Sequence, residues 1–223
     1  SWPTSPGAAA AKERTPTVTH TDGHPVKPHT TSALYLGMGE RYDLLVTLGD
    51  GVFPLVAKPW NKPGHGLALV RTGSGSPPEP PVQLAEFTGQ LTQGLDLYPE
   101  ESSLLPTRPI DARATIELGG QANPYRWVIN GAPFGQNQPL EVVDNDRLLL
   151  EVVNTTTRAH PVHLHGHTFA LDNGLRKDTL LVPPSSTTAV HLDATNPGAW
   201  ALHCQNEYHT KAGMMLTMRY KDR

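Results

Sequence analysis

The sequence predicts an all-β protein, built as an antiparallel sandwich or barrel, and three observations support this prediction. Short strand-like runs recur along most of the chain and are separated by turn residues such as Asn130-Gly131 and Asp144-Asn145. Glycine (20 residues) and proline (22 residues) together make up 42 of the 223 residues, which suits a loop-rich β protein. No long amphipathic helical pattern is present, and a single helical turn is expected after Cys204.

The strand candidates fall into two blocks. The first comprises Thr15–His20, Ala33–Leu36, Tyr42–Leu48, Val52–Ala57 and Leu67–Arg71. The second comprises Ala114–Leu118, Arg126–Ile129, Pro139–Val143, Arg147–Asn154, Val162–Ala170, Asp178–Val182, Thr187–Asp193, Ala199–Cys204 and Met214–Arg219. Residues 1–14 are expected to be irregular, and a stretch rich in Gly, Ser and Pro after residue 72 is typical of a linker. We therefore predict a partial domain (1–72), a linker (73–110) and a complete C-terminal domain (111–223).

Composition excludes several classes of protein. The net charge is −3 and no basic patch is present, which argues against a nucleic-acid partner. No run approaches the roughly 18 apolar residues of a membrane-spanning helix. A single cysteine excludes an internal disulfide. The first residues lack a basic leader and an apolar core, so no signal peptide is expected in this chain.

Two histidine-rich segments near the C-terminus carry the chemistry. The first reads HPVHLHGH (160–167), and the second reads HCQNEYH (203–209). The cysteine of the second segment is followed by a histidine after five residues and by a methionine after ten. Two imidazoles, a thiolate and a weak thioether are the ligands that a blue copper centre requires. His160, Cys204, His209 and Met214 can supply them; Met215 would face the other way on a strand.

Side-chain alternation predicts a second site behind the first. On a strand His163 and His165 point to the same face, while Cys204 points away from both His203 and Gln205. One strand can therefore serve two metal sites, one on each face. His163 and His165 would share the second site with His203 and residue 205.

Each of these residues alone has a simpler interpretation. A lone cysteine is usually a small apolar side chain, a His-x-His pair can bind zinc, and a lone methionine belongs in a core. Seven of the 11 histidines follow residue 159, and six of those lie in the two segments, so the combined spacing favours copper. His167 is expected to pack or hydrogen-bond near the site. The other histidines are expected to be structural or solvated: His20, His24, His29, His65 and His191.

At these motifs the chain resembles the multicopper oxidases, the family of laccases and bacterial copper-resistance oxidases. The similarity extends to RWVINGAPF (126–134) and RKDTLLVPP (176–184), which look like the third domain of three-domain members. TVTHTDGHPVKP (17–28) and GERYDLLVTL (39–48) look like the end of a second domain. The resemblance implies a cupredoxin-like Greek-key sandwich, with one complete domain and part of another.

Carried over residue by residue, the family pattern assigns three kinds of copper ligand. It makes His163 a type 2 ligand, and His165 and His203 type 3 ligands. The type 1 ligands are His160, Cys204, His209 and Met214. Cys204 and His203, which join the two sites, are the expected catalytic residues. The resemblance also implies up to four copper ions per complete oxidase, an extracytoplasmic location, and dioxygen with a small reducing substrate or metal ion as partners.

Two departures from the family pattern limit what the resemblance implies. Gln205 stands where the family has a histidine, and an amide oxygen is a harder, weaker copper ligand than imidazole. The first domain of the family, with its two His-x-His pairs, has no counterpart here, so another chain or an N-terminal domain would have to complete the cluster.

Three hypotheses follow from the residues and the resemblance. The first is a copper-dependent oxidoreductase, the C-terminal part of a multicopper oxidase that oxidises phenols, amines or metal ions and reduces dioxygen to water. The second is a copper-binding or electron-transfer module without oxidase activity. The third is a copper-free structural β-sandwich.

Overall fold

The structure, a computed structural model, describes residues 15–60, 62–77, 79, 85–89 and 91–222. The predicted irregular start (1–14) and part of the predicted linker lie outside the described residues. The strands, numbered β1 to β16, are Thr17–Thr21, His24–Thr30, Tyr42–Leu45, Val52–Ala57, Gly66–Arg71, Ala112–Ala122, Tyr125–Ile129, Leu140–Val143, Arg147–Asn154, His160–Leu164, Phe169–Leu171, Arg176–Lys177, Thr179–Val182, Ser186–Asp193, Ala199–Cys204 and Met215–Lys221. One α-helix, α1 (Glu207–Lys211), is present among the described residues.

The described chain divides into two compact units. The first contains the described residues of Ser1–His20, Lys27–Leu36 and Tyr42–Leu97. The second contains Thr21–Val26, Gly37–Arg41 and the described part of Tyr98–Arg223. The second unit therefore includes two short segments from early in the chain, and these matter for the site described below.

The first unit includes an antiparallel pair of strands. The strands β4 and β5 form a hairpin whose register runs from Val52 opposite Arg71 to Ala57 opposite Gly66. Every residue of β5 is exposed, although its sequence, GLALVR, is mostly apolar. Buried apolar side chains of this unit include Val18, Phe53 and Val56.

The second unit is a two-sheet sandwich, which confirms the predicted all-β, cupredoxin-like class. One sheet has the order β13-β10-β15-β16-β8, and the other has the order β12-β11-β14-β9-β6-β7. Two pairings are parallel, β16 with β8 and β6 with β9, while the other registered pairs of these sheets are antiparallel. Alternating residues of these strands are buried, among them Ile116, Leu118, Val152, Leu202 and Leu216.

Local geometry explains where strand predictions and structure differ. The predicted strand Val162–Ala170 is two strands, because Gly166 turns the chain with a φ of +67°. A Cβ at Gly166 would lie 2.6 Å from the Trp200 ring, so the turn also needs the close approach that glycine allows. Ala33–Leu36 forms only an isolated bridge, at Leu34.

The predicted helical turn after Cys204 is α1. Asn206 caps it by accepting a hydrogen bond from the Tyr208 backbone N–H at 3.1 Å. Among the residues that the structure describes, no helix is long and apolar enough to cross a membrane.

Candidate metal centre

Strand register sorts the two histidine-rich segments onto opposite faces of one sheet. In the pairing of β10 with β15, Val162 lies opposite Cys204 and His163 lies opposite His203. Because directly opposed residues share a face, Cys204 shares a face with Val162 and, two residues before it, with His160. His163 and His203 share the other face. The two-faced arrangement expected from side-chain alternation is therefore present in the backbone.

On the first face, three side chains converge in a buried cluster. The potential ligand atoms of His160, Cys204 and His209 all lie within 4.8 Å of one another, and all three residues are buried. The Cys204 Sγ is 3.7 Å from His160 Nδ1 and 3.6 Å from His209 Nδ1, and the two Nδ1 atoms are 3.1 Å apart. Both imidazoles thus direct the same ring nitrogen toward the thiol. Of the described residues, only these form such a group of three or more histidine, cysteine or acidic side chains.

The outer nitrogens of these two rings contact polar neighbours. His160 Nε2 lies 2.8 Å from the Thr156 hydroxyl, which in turn donates to Asn154 Oδ1 at 2.9 Å. His209 Nε2 lies 3.3 Å from the Asn206 amide. Such contacts fix ring orientation, as the outer contacts of metal-binding histidines commonly do. They leave the Nδ1 atoms to face the thiol.

Met214 lies beside Cys204 on the same face. The pairing of β15 with β16 puts His203 opposite Met215, so the next pair inward is Cys204 and Met214. The Cys204 backbone N–H donates to the Met214 carbonyl at 3.2 Å, and Met214 is completely buried. Met215 shares a face with His203 instead. Register therefore favours Met214 over Met215 as the thioether of this face.

Two aromatic residues of β7 cover the first face. The buried Trp127 ring lies 4.2 Å from the His209 ring and 5.2 Å from the His160 ring, measured between centroids. The half-exposed Tyr125 packs edge-on against Trp127 at 6.0 Å. Sequence reasoning missed Trp127, because it precedes the ligand segments by more than 30 residues and carries no ligand atom.

Burial keeps the groups of the first face neutral. It raises the pKa of the Cys204 thiol to about 12. Burial, with smaller contributions from His209 and Arg158, lowers the pKa of His160 to about 3, and burial together with Arg158 lowers that of His209 to about 4. A cation bound here would reverse this preference for the thiol and would displace its proton.

On the second face, three imidazoles lie close together. The ring centroids of His163, His165 and His203 are separated by 4.9 to 5.8 Å. His165 Nε2 lies 2.9 Å from His203 Nε2. His203 Nδ1 lies 2.9 Å from the Cys204 carbonyl, so its other nitrogen faces the cluster. Burial, together with the neighbouring imidazoles, lowers the pKa of His165.

His163 is anchored by the residue that precedes β13. Its Nδ1 lies 2.8 Å from the Asp178 carbonyl oxygen and 3.5 Å from the Asp178 carboxylate, and these contacts raise the pKa of His163. Arg41 donates to both carboxylate oxygens of Asp178, at 3.0 and 2.7 Å. Burial would raise the pKa of Asp178, but hydrogen bonds from His163, Arg41 and Thr179 hold it well below its usual range. The position of Asp178 in the predicted strand Asp178–Val182 gave no sign of this role.

Gln205 packs against a glycine of the segment Gly37–Arg41. Gly39 has a φ of +86°, and a Cβ built there would lie 2.8 Å from Gln205 Cγ and 2.9 Å from its Cδ. The Gln205 backbone N–H donates to the Pro161 carbonyl at 2.6 Å. The side chain that occupies the predicted fourth position of the second face is thus held close against the backbone of Gly39.

The second face also borders a cavity of about 480 Å³. Its lining is largely polar and includes His163, His167, Arg176 and Asp178. His167 is buried, with Nδ1 3.1 Å from the His165 carbonyl and Nε2 2.7 Å from the Tyr220 hydroxyl. This matches the packing and hydrogen-bonding role expected for it.

The remaining histidines lie apart from both faces or contact other groups. His191 lies 3.3 Å from Asp172, His20 lies 3.5 Å from Asp43, and His29 lies 3.2 Å from the Thr92 hydroxyl. These are ordinary polar contacts of the kind expected for structural or solvated histidines.

The donor set of the first face fits copper. One thiol that can ionise, two imidazoles with converging nitrogens and an adjacent methionine match the preferences of a blue copper site. Zinc sites in proteins use cysteine, histidine and carboxylate ligands, and a methionine thioether is not among them. The residues present therefore suit copper without rearrangement of the fold.

Family models and curated relatives both match this chain to multicopper oxidases. Two family models, both described as multicopper oxidase, match residues 107–223 and 14–75. The chain is 43% identical over 219 residues to the multicopper oxidase MmcO of Mycobacterium tuberculosis, covering 92% of this chain and 42% of that protein. It is 33% identical over 122 residues to a copper resistance protein A homolog of Pseudomonas syringae pv. tomato, covering 52% of this chain and 20% of that protein.

Solved structures agree on the fold. Fet3p, a multicopper oxidase that functions in iron import, superposes with a TM-score of 0.73 at 19% identity, covering 94% of this chain and 52% of Fet3p. The McoA multicopper oxidase of Aquifex aeolicus gives a TM-score of 0.68 at 22% identity, covering 94% and 50%. The chain thus spans about half the length of these structures, and less than half of MmcO. On the family models and the identity to MmcO, this chain belongs to the multicopper oxidase family.

Proposed function

We propose that this chain carries the electron-entry site of a copper-dependent oxidase and half of a second, oxygen-reducing site. His160, Cys204, His209 and Met214 are the proposed type 1 copper ligands. The single observation that carries this proposal is the buried convergence of two Nδ1 atoms on the only thiol of the chain.

Copper bound at these sites would supply one-electron oxidation of a small reducing substrate, such as a phenol, an amine or a metal ion, and reduction of dioxygen to water. The contribution of the chain is geometric. The fold presents the thiol and the imidazoles in a site closed to bulk water, and the contacts of the outer nitrogens fix the two rings. His209, which at 6% is the most exposed of the four proposed ligands, lies beside the half-exposed Tyr125.

The connection between the two faces is covalent and short. Cys204 and His203 are adjacent in β15 and point to opposite faces, so the strand itself links the first site to the second. A contact of 2.9 Å between His203 Nδ1 and the Cys204 carbonyl adds a shorter link. In this proposal Cys204 and His203 are the residues through which the two sites communicate.

The second face supplies part of a copper cluster. We assign His163 to a type 2 site and His165 and His203 to a type 3 site. The remaining ligands would come from a part of the oxidase outside this sequence or from another chain, since the chain matches less than half of MmcO. A complete assembly would then hold up to four copper ions. An extracytoplasmic location belongs to the same proposal, since the family resemblance implies it.

Copper loading of the purified chain tests the first site. Addition of Cu(II) should give an intense blue absorption band at one copper per chain, and oxygen uptake should be low for the chain alone. A copper-loaded chain without the blue band would overturn the type 1 assignment. Rapid dioxygen turnover by this chain alone would overturn the claim that its second site needs further ligands.

A copper electron-transfer module is the second candidate function, and Gln205 favours it. Its side chain packs on Gly39, and the second face offers three imidazoles. If co-expression with the N-terminal domains of a related oxidase gave a blue protein without oxygen uptake, this candidate would displace the oxidase. Oxygen uptake in that assembly would exclude it.

A further inference from the structure

The first face is covered by Trp127, a side chain that provides no ligand atom. Trp127, on β7, is 2% exposed and lies against the His209 ring with an interplanar angle of 32°. It meets His160 edge-on at 67°. One indole ring therefore contacts both imidazoles of the proposed copper site, and few orientations of either ring are compatible with it.

The backbone of Trp127 also lies close to the segment that leads into Met214. Gly213 has a φ of +118°, and a Cβ there would lie 2.8 Å from the Trp127 carbonyl oxygen and 2.6 Å from Pro133 Cβ. Phe134 donates its backbone N–H to the Gly213 carbonyl at 3.0 Å. The strand β7 and the turn after it thus contact the residue before Met214 as well as both imidazoles.

The indole nitrogen of Trp127 makes this side chain costly to bury for packing alone. Trp127 Nε1 is buried and has no hydrogen-bond partner among the residues that the structure describes. An unsatisfied buried N–H costs free energy, and a phenyl ring would avoid that cost. The larger indole nevertheless spans the distance between the two imidazoles, a contact that a smaller ring would reduce.

We propose that Trp127 is a positioning residue of the copper site. Its ring sets the planes of His209 and His160, and so sets the angle at which their Nδ1 atoms meet the Cys204 thiolate. It also excludes water from this side of the metal. This inference rests on the proposed function, because it assumes that copper binds to these three residues.

The test compares Trp127→Phe and Trp127→Leu with the wild-type chain, and uses Trp60→Phe as the matched control. Trp60 is 63% exposed and belongs to the first unit, so its loss corrects for general effects of removing an indole. For each purified full chain we would measure the blue absorption band, the copper hyperfine splitting by electron paramagnetic resonance, and copper affinity by competition with a chelator. The unfolding midpoint of each metal-free chain would be measured in parallel.

We expect both Trp127 variants to bind one copper with a shifted or weakened blue band, and with an affinity lower by about 10- to 100-fold. Leucine should have the larger effect, and Trp60→Phe should match wild type. Unchanged spectra and affinity in both variants would overturn the positioning role. Loss of the cooperative unfolding transition in both would also overturn it, since Trp127 would then serve folding.

The proposed function has a separate readout. If wild type itself formed no blue species with Cu(II), the type 1 assignment would fall and the Trp127 inference with it. A blue wild type with spectroscopically identical Trp127 variants would remove only the inference.

Discussion

Substitution of the buried Lys177 tests how much its ion pairs with Thr21–Val26 and Gly37–Arg41 contribute to the stability of the second unit. The Lys177 side chain is 1% exposed, and its Nζ lies 3.1 Å from Asp22, 3.2 Å from Glu40 and 2.7 Å from the Thr21 hydroxyl. Both carboxylates are almost completely buried, with side-chain exposures of 0% and 3%. Lys177→Met keeps the approximate length of the side chain and removes its charge, so two buried carboxylates lose their shared cation.

Removal of one partner from a buried ion pair typically costs about 3–5 kcal/mol, because the remaining charge stays desolvated. Asp22 also accepts backbone N–H groups of Arg41, Asp178 and Thr179, which offsets part of its loss. We therefore expect a destabilisation near the lower end, about 3 kcal/mol, which corresponds to a fall in Tm of roughly 6–12 °C for a chain of this size.

Thermal and denaturant unfolding, followed by circular dichroism, would measure the effect. Lys211→Met is the matched control, because Lys211 is 73% exposed and pairs with the exposed Glu207 within its helix, so little change is expected there. The double variant Lys177→Met with Glu40→Gln should recover part of the lost stability, since it removes one of the two buried carboxylate charges that Lys177 neutralises. A single variant as stable as the control would refute the reasoning that the cluster is charged and desolvated.

Three further substitutions address the two faces. Cys204→Ser should abolish the blue absorption of the copper-loaded chain, and retained colour would refute the thiolate assignment. Gly39→Ala should destabilise the chain by about 1–2 kcal/mol in denaturant unfolding, because it adds a clash with Gln205 to the cost of a positive φ. Its control is Gly23→Ala, with a similar φ of +83° and open space around the new Cβ, and equal losses in the two variants would exclude the clash. Thr156→Val removes the hydroxyl beside Nε2 of His160, a proposed copper ligand, so copper affinity measured by chelator competition should fall about 10-fold. An unchanged affinity would show that this contact does not orient the ring.

The two-faced site could be anticipated from the sequence because strand alternation is a local rule. The segments 160–165 and 203–205 needed only period-two geometry to separate Cys204 from His203. Their spacing also predicted that Met214 would lie near the thiol, which register now supports. These inferences about side-chain placement were possible because each depends on residues within about ten positions along the chain.

The surroundings of the site could not be anticipated in the same way. Trp127 reaches the first face from β7, and its distance along the chain leaves no periodic signal. Thr156 is only four residues from His160, but it lies in the turn between two strands, where period-two geometry does not apply. Arg41 meets Asp178 across 137 positions of sequence. The prediction of one continuous strand over Val162–Ala170 was wrong for a related reason. The chain turns at Gly166, close to the Trp200 ring, and only the folded sheet reveals this contact.

The two faces depend on different parts of the chain, and this difference bears on how the site assembles. The first face draws its proposed ligands and its covering indole from the C-terminal sandwich, between residues 127 and 214. The second face also depends on Gly37–Arg41, which holds Gln205 through Gly39 and Asp178 through Arg41. That segment is in turn tied to the sandwich by the buried pair of Glu40 and Lys177. A weakened buried cluster should therefore disturb His163 and Gln205 before it disturbs the thiol site, so the Lys177→Met chain should still give the blue band.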